Sequence, residues 1–481
     1  MAASWHKQAS PFPMVDMEAA WRQVLDESER MAQWLSGASR ECALNECPSG
    51  STLAESVVAP FAMPPFAASV KDGYAVRVAD AVRGRQLTVV GRSMAGSAHV
   101  ELVQLGTCVY VATGAPIPDG AEAVLPVEEV LQMEAEGRSA VRIIRVDRDA
   151  PLSVGHEVRA AGADVQAGET VLAAGARIGP SERGILATFG VRRVRVRAWP
   201  RVAVLSTGNE LVEAGDAHSE LAPGQVYDSN RPMLLAALQQ LLPTGGEVLD
   251  LGIASDAEAA ARIERALDEG GDGVQVLVVS GGVSMGESDL VKPTLQRLGR
   301  MHFGRLMMKP GKPMSFITSR VEQRPPWMAF AMPGNPVSAA VCYQLLVAPA
   351  LRVAGGMPRA HALPLRVVAS LAHPVQCDAE RPEFQRAQLA LRRRDGDGGA
   401  AADASVWDAS CCEVTATVTG RQASSRLQSM YGANALVYIP QGGGRLPLGT
   451  PVLALVLHTD TGGGAVKASA PGVPDGAASC C

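Results

Sequence analysis

The sequence predicts a multidomain protein of α/β and β class, built around a central doubly wound parallel sheet. Three observations predict it. Residues 199–357 alternate apolar strand-like runs with amphipathic helical runs, the pattern of a parallel sheet with helices on both faces. Short strands between Gly- and Pro-rich turns fill residues 59–164 and 360–459. The length of 481 residues, 47% of them hydrophobic, is sufficient for several cores.

The first domain is predicted to be discontinuous, comprising residues 14–58 and 165–198. A helix is expected from Asp16, a suitable N-cap, to Gly37, because apolar residues recur there at three- and four-residue steps. The short, apolar second segment is expected to pack against this helix. Residues 1–13 are predicted to be disordered.

A β-rich domain is predicted as an insertion at residues 59–164. The turn signal Asp72-Gly73 precedes a short strand, and further strands are expected at Gln86–Gly91, Cys108–Thr113 and Ala140–Val146. A second β domain, of barrel-like type, is predicted at residues 360–459. It contains a flexible hairpin insert at residues 394–404, and residues 460–481 are predicted to be disordered because they are rich in Gly, Ala and Pro.

The stretch Val274–Asp289 organises the central domain. Residues 274–279 predict a buried strand, Ser280-Gly281-Gly282 a tight turn, and residues 288–298 a helix. Such a turn presents backbone N–H groups to an anion, and the carboxylates of Glu287 and Asp289 suggest a phosphate compound handled with a divalent metal. Alone, this pattern is equally typical of an ordinary turn with a polar helix cap.

Four loops together strengthen the prediction of an anion site. Ligands of open parallel sheets bind at the carboxyl ends of the strands, and three polar loops follow predicted strands here. A fourth loop carries two lysines, which suit phosphate or another oxyanion. The four loops are Ser206–Glu210, Ser280–Asp289, Pro333–Ser338 and Lys309–Pro313.

Composition argues against several other classes of protein. The net charge of -5 and the lack of a basic run with interleaved aromatics argue against nucleic-acid binding. The nine cysteines have irregular spacing, which indicates reduced thiols in the cytoplasm instead of zinc sites or disulfides. The sequence has no uninterrupted apolar run of 18 residues and no apolar signal core, so we expect no membrane span.

Nine ordered runs resemble one family, the molybdopterin molybdenumtransferases or molybdenum insertases, which include bacterial MoeA and the E domain of gephyrin. The resemblance covers roughly residues 14–458, and Lys71 and the HEVR run at 156–159 are more similar to the eukaryotic members. The runs are SVKDGYAV (69–76), TGAPIPDGAEAV (113–124), STGNEL (206–211), DSN (228–230), SGGVSMGESD (280–289), KPGKP (309–313), MPGNPVSA (332–339), RPEFQR (381–386) and SSRL (424–427).

The resemblance implies a reaction and its participants. Adenylylated molybdopterin and molybdate would yield molybdenum cofactor and AMP, assisted by magnesium held by Asp289 and Glu210. The resemblance also implies a homodimer, because Asp72 and Asp164 would reach the cleft from the second subunit.

The resemblance assigns further residues to three groups. The implied catalytic residues are Asp289, Glu210, Lys309, Lys312, Asp72 and Asp164. The implied molybdate-binding residues are Lys312, Pro313, Ser338, Arg381 and Ser424. The residues implied to bind phosphate, pterin or nucleotide are Thr207, Gly208, Asn209, Asp228, Ser280, Gly281, Gly282, Ser284, Pro333, Gly334 and Asn335.

Two alternative functions and two partners remain from the sequence. The central domain is also similar to molybdopterin adenylyltransferases, but the KPGKP loop and the two β domains are insertase features. A non-catalytic scaffold like the gephyrin E domain is the second alternative. We expect adenylyltransferase activity on a separate polypeptide, and acceptor molybdoenzymes as further partners.

Overall fold

A computed structural model describes residues 14–96, 101–133, 142–215, 221–243, 246–268, 273–283, 290–320, 325–393 and 412–457. The chain forms two compact units. One is Arg40–Val196, and the other comprises Met1–Ser39 and Arg197–Cys481.

A mixed six-stranded sheet is the centre of the unit Arg40–Val196, which contains the predicted β-rich module. Alternate side chains such as Tyr74, Leu87 and Ile144 are buried on one face and form its core. In spatial order the strands are Ala123–Pro126, Gly73–Val76, Thr107–Val111, Gln86–Ser93, Arg142–Val146 and Val130–Met133.

Three antiparallel ladders in the same unit join the segment before the sheet to the segment after it. This pairing is what an inserted β domain requires, since both ends of the insertion must return to one place. The helix Pro180–Thr188 packs on a small core beside these ladders, which includes Leu53, Leu186 and Val194. The ladders pair Arg40–Ala43 with Arg193–Val196, Val57–Val58 with Thr170–Leu172, and Ala68–Ser69 with Val158–Arg159.

The N-terminal helix Met17–Leu35 forms as predicted, with Asp16 accepting a 2.7 Å hydrogen bond from the Ala19 N–H. The expected packing of residues 165–198 against this helix stays a prediction. The helix packs on Ala348–Ala354, and the Trp21 Nε1–H donates to the Leu345 carbonyl at 2.6 Å. The apolar period of a helix defines a face that must be buried but does not specify which surface covers it.

The central sheet has six strands: β1 (Val202–Thr207), β2 (Val248–Ala254), β3 (Val276–Ser280), β4 (Gly299–Phe303), β5 (Ser315–Ser319) and β6 (Met328–Met332). Their order is β2-β1-β3-β6-β5-β4. The first four strands are parallel, whereas β5 and β4 pair antiparallel at one edge. The predicted mainly parallel sheet is therefore confirmed.

Helices cover both faces of this sheet. In β1, Val202 and Val204 pack into one core, and Ala203 and Leu205 into the other. The first core also contains Met17–Leu35, Asn230–Leu241 and the helical run of residues 336–354. The second contains Asp256–Leu267 and Val291–Leu298.

The run Pro336–Ala354 is the central helix of the first core. It consists of Pro336–Cys342, a π-helical turn Tyr343–Val347, and Ala348–Ala354. Its length and mean hydropathy of 1.6 would suffice for a membrane span, but 94% of its apolar window is buried inside the protein. This burial is typical of a core helix.

The C-terminal β domain closes into a five-stranded barrel, as predicted. The insert at residues 394–404 lies outside the described residues. In order around the barrel the strands are Arg366–Leu371, Cys412–Val418, Glu383–Arg393, Ala435–Ile439 and Pro451–Val456. The described part of this compact unit also contains the helix Arg359–Ala362, the 3-10 helices Ser36–Ala38 and Leu427–Met430, and the short strands Leu211–Val212, Val226–Tyr227, Val375–Gln376 and Arg445–Leu446.

Candidate functional site

Three of the predicted loops meet at the carboxyl edge of the central sheet. Strand register places Ser280 beside both Ser206 and Met332, so β1, β3 and β6 end side by side. The buried Asn230 side chain ties two of these strand ends together. Its Nδ2 donates to Ser280 Oγ and to the Gly334 carbonyl, both at 2.7 Å.

The glycine turn after β3 is dictated by close packing of backbone on backbone. Gly281 has a φ of 92°, and a Cβ there would lie 2.2 Å from the Thr207 carbonyl oxygen. Its N–H donates to the Met332 carbonyl at 3.1 Å. Only glycine satisfies both the dihedral angle and the space, so the Thr207 and Gly281 loops form a single floor.

This floor belongs to a cavity of about 650 Å³, and the charged side chains that line it among the described residues are all acidic: Glu210, Asp228 and Asp256. The Asp228 carboxylate is engaged in hydrogen bonds within the protein. It accepts from the Asn230 N–H at 3.0 Å and from Arg231 Nε at 3.2 Å. It therefore holds the loop that carries Asn230. The direct substrate contact predicted for Asp228 remains a prediction.

Asp256 was missed by sequence reasoning. Asp256 is the first residue of the helix that follows β2, which is one of the four parallel strands. The principle that ligands bind at the carboxyl ends of parallel strands would have identified Asp256 if it had been applied to β2. Asn209 Nδ2 donates to Asp256 Oδ2 at 2.9 Å, and the Asp256 N–H donates to Asn209 Oδ1 at 3.1 Å. Asn209 thus fixes the position of an acidic residue at the cavity.

The donor chemistry of this cavity fits a hard divalent cation. The carboxylates of Glu210 and Asp256 line it beside the backbone turn at Gly281, and magnesium binds one or two carboxylates together with phosphate oxygens. No group of three His, Cys, Asp or Glu side chains arranged for a metal occurs in the part of the chain that the structure describes. The predicted ligand Asp289, and with it Ser284, lies outside the described residues.

A second cavity, of about 480 Å³, adjoins the first at Pro313 and Asn335, which line both. It contains all five residues that the sequence implied for molybdate binding: Lys312, Pro313, Ser338, Arg381 and Ser424. The Val337 N–H donates to the Ser424 carbonyl at 3.1 Å, which joins the start of the core helix to the barrel loop.

The second cavity is cationic. Lys312 and Arg421 line it, and their side chains have no hydrogen-bond or ion-pair partner among the described residues. Arg381 donates from one terminal nitrogen to the Met308 carbonyl at 3.2 Å, and its buried Nε has no partner among those residues. No acidic side chain of the described segments lines this cavity, so the arrangement suits an oxyanion.

Arg421 is a second residue that sequence reasoning missed. It precedes Ser424 by three positions on the same barrel loop. Its proximity in sequence to a predicted oxyanion residue is the signal that could have found it.

Lys309, which the resemblance implied to be catalytic, is ion-paired in the structure, and its catalytic role stays a prediction. Its Nζ lies 2.6 Å from Glu383 Oε1 and 3.0 Å from Asp378 Oδ2. Burial favours the neutral amine, yet hydrogen bonds to these two carboxylates raise the pKa of Lys309 on balance. The residue lines the cationic cavity, but its charge is already matched.

Asp72 and Asp164 belong to the unit Arg40–Val196. Asp72 Oδ1 accepts from the Thr113 N–H at 2.6 Å and from Thr113 Oγ1 at 2.9 Å, and these bonds hold the pKa of Asp72 below its usual value. Asp164 is ion-paired with Arg159. Their approach to a cleft in a second subunit stays a prediction.

Comparisons with known proteins match this architecture along most of the chain. Residues 15–190 match the family profile of the MoeA N-terminal region (domain I and II), and residues 203–353 match the probable molybdopterin binding domain. Residues 406–457 match the MoeA C-terminal region (domain IV). A molybdopterin molybdenumtransferase of Haemophilus influenzae is 36% identical over 62% of this chain and 68% of its own length.

The chain belongs to the molybdopterin molybdenumtransferase (MoeA) family. Another member, molybdopterin molybdenumtransferase 1 of Mycobacterium tuberculosis, is 33% identical over 83% of this chain and 90% of its own length. Gephyrin of Dictyostelium discoideum is 32% identical over 94% of this chain, which spans 63% of the length of that relative.

A solved MoeA structure shares the fold. The molybdopterin biosynthesis MoeA protein of Pyrococcus horikoshii superposes with a TM-score of 0.65 at 28% identity, covering 92% of this chain and 99% of that one. The predicted fold class, with its α/β domain and C-terminal barrel, is confirmed by this MoeA-like arrangement.

Proposed function

We propose that this chain is a molybdenum insertase, which converts adenylylated molybdopterin and molybdate into molybdenum cofactor and AMP. The observation that carries the proposal is the pair of adjoining cavities of opposite character. One has a glycine-lined floor and carboxylates, and the other has cations and hydroxyls, with Pro313 and Asn335 lining both. Such a pair of cavities suits two substrates. One carries a pyrophosphate and would bind in the acidic cavity, and the other is an oxyanion that would bind in the cationic cavity.

The cationic cavity would hold molybdate. Lys312 and Arg381 supply fixed positive charge, and Ser338 and Ser424 supply hydroxyl groups that donate to oxyanion oxygens. Ser338 is 97% buried, so its hydroxyl has few orientations to lose on binding.

The acidic cavity would hold the adenylylated end. Gly281 and Gly282 line its floor, where the lack of side chains keeps the loop packed closely against Thr207. Glu210 and Asp256, with Asp289, would hold magnesium, which when bound supplies positive charge against the pyrophosphate. Asn209 keeps Asp256 in place through its two hydrogen bonds.

The proposed assembly is a homodimer in which Asp72 and Asp164 complete the cleft of the other subunit. Hydrogen bonds from Thr113 lower the pKa of the Asp72 carboxyl, and Asp164 is ion-paired with Arg159. We further propose a separate molybdopterin adenylyltransferase upstream and acceptor molybdoenzymes downstream.

The test is release of AMP from adenylylated molybdopterin in the presence of magnesium, with and without molybdate. Molybdate-dependent release, together with activation of an apo-molybdoenzyme, is the expected result. An Asp289→Asn variant should keep the fold and lose AMP release, since a metal ligand becomes neutral. Bound nucleotide that is never cleaved would overturn the proposal in favour of a binding or scaffold role.

A further inference from the structure

The KPGKP loop is joined to the C-terminal barrel by backbone hydrogen bonds at Lys309. The Lys309 N–H donates to the Pro382 carbonyl at 2.9 Å, and the Phe384 N–H donates to the Lys309 carbonyl at 2.8 Å. These bonds form a short parallel bridge between Lys309 and Glu383. Two loops that lie about 70 residues apart in sequence thereby form one wall of the cationic cavity.

The Asp378 carboxylate forms hydrogen bonds with both of these loops. Its Oδ1 accepts from the backbone N–H groups of Glu380 and Arg381, each at 2.9 Å. Its Oδ2 accepts from Lys309 Nζ at 3.0 Å. One carboxylate therefore fixes both the turn that carries Arg381 and the lysine of the KPGKP loop.

The carboxylate is ionised throughout the range in which the protein would be assayed. Hydrogen bonds from the Glu380 N–H and from Lys309 lower the pKa of Asp378 to about 2. Its carbonyl oxygen also accepts from the Gly442 N–H at 3.0 Å, so the residue is held from the neighbouring barrel turn as well.

We propose that Asp378 is a positioning residue for oxyanion binding, which orders the Arg381 turn and the Lys309 side chain before the anion arrives. The inference rests on the proposed function of the cationic cavity. Since Asp378 carries negative charge beside an anion site, Coulomb repulsion opposes its presence there. Preorganisation of the turn outweighs that repulsion.

Two substitutions separate these contributions. Asp378→Asn removes the charge and the acceptor for Lys309 Nζ but keeps an oxygen that accepts from the Glu380 and Arg381 N–H groups, whereas Asp378→Ala also removes that oxygen. We expect the Asn variant to bind molybdate as tightly as the unchanged protein or up to about threefold more tightly. The Ala variant should bind about tenfold more weakly than the Asn variant, because the Arg381 turn is no longer held.

The measurement is isothermal titration of the full chain with sodium molybdate. A second measurement is the KM for molybdate in the AMP-release assay. We expect this KM to rise in the Ala variant and kcat at saturating molybdate to be retained. Glu380→Gln serves as the matched control: this exposed carboxylate is two residues away and has no side-chain partner among the described residues. It should change affinity less than twofold.

The outcomes distinguish the inference from the proposed function. Equal molybdate affinity in the Asn and Ala variants, with unchanged melting temperatures, overturns the positioning role while leaving the insertase proposal standing. A fall in kcat that tracks the melting temperature would show a merely structural role. Failure of the unchanged protein to bind molybdate overturns both proposals.

Discussion

Four cationic side chains that line the cationic cavity, Lys309, Lys312, Arg381 and Arg421, differ in how much of their charge is available to an anion. Lys309 is matched by Asp378 and Glu383, whereas Lys312 and Arg421 have no partner among the described residues. An incoming anion therefore meets Lys312, Arg421 and the guanidinium of Arg381. Because the side chains of Lys312 and Arg421 make no hydrogen bond or ion pair with the described residues, an anion displaces no such partner and their charge contributes directly to binding.

Replacing Arg421 tests this view at the scale of one side chain. Arg421→Gln should weaken molybdate binding about three- to tenfold and reduce its dependence on ionic strength, because one partly exposed charge is removed. Titration with molybdate at two salt concentrations measures both effects. Arg426→Gln is the control, since Arg426 is exposed on the same loop and does not line the cavity. Equal losses in the two variants would contradict a specific role for Arg421.

The helix Asn230–Leu241 is anchored to the central sheet through a buried arginine at its start. Arg231 is 95% buried and pairs with Asp228 at 3.2 Å, with Glu213 at 2.5 Å, and with Asp250 of β2. The Asp228 side chain in this network is only 2% exposed. The position of Asn230 at the strand ends depends on this element-level attachment.

Removal of one member of that network should be costly. Arg231→Met leaves the Asp228 carboxylate buried without its cation, and we expect the free energy of unfolding to fall by roughly 3–5 kcal/mol. Urea unfolding of the variant provides the measurement. The double variant Arg231→Met/Asp228→Asn should recover part of the loss, since the carboxylates that still lack their cation, Glu213 and Asp250, are exposed to solvent. A double variant less stable than the single one would contradict this explanation.

The link between the KPGKP loop and the barrel should weaken in acid. The pKa of Asp378 falls from its ordinary 3.8 to about 2 in the folded protein, so its contribution to stability is present above about pH 4. It is lost as the pH falls through about 2. Urea unfolding at pH 5, 3.5 and 2.5 should show an advantage over Asp378→Asn, on the order of 1 kcal/mol at pH 5, that shrinks with acidity. A pH-independent difference between the two proteins would refute the assignment.

For the whole molecule, the proposed reaction needs residues from both compact units. Asp72 and Asp164 lie in Arg40–Val196, whereas the two cavities lie in the unit that contains Arg197–Cys481. In the proposed homodimer, twofold symmetry would give two equivalent clefts, each completed by the opposite chain.

Mixed dimers provide the test of that assembly. Asp72→Asn and Lys312→Ala proteins with different tags should each release little AMP. The heterodimer, purified through both tags, should show about half the activity of the wild-type homodimer, because one of its two clefts then carries neither substitution. If Asp72 instead served the cleft of its own chain, both clefts of the heterodimer would be defective. An inactive heterodimer of normal stability would therefore contradict exchange between subunits.

The sequence by itself determined the elements and the chemistry of the loops between them. The apolar runs that became β1, β3 and β6 could be recognised, because a short apolar run and the Gly- or Pro-rich turn after it are local properties of the chain. The resemblance to the family then assigned the five oxyanion residues, including Ser338, Arg381 and Ser424, all of which line one cavity.

Tertiary structure decided which surfaces and charges meet. It placed Met17–Leu35 against Ala348–Ala354, brought Asp378 and Glu383 to Lys309, and added Asp256 and Arg421 to the cavities. The physical reason is the distance along the sequence between the residues that interact. A helical period or a glycine turn is encoded within a few residues, but the partner of a buried face or a cation is chosen by the packing of distant segments.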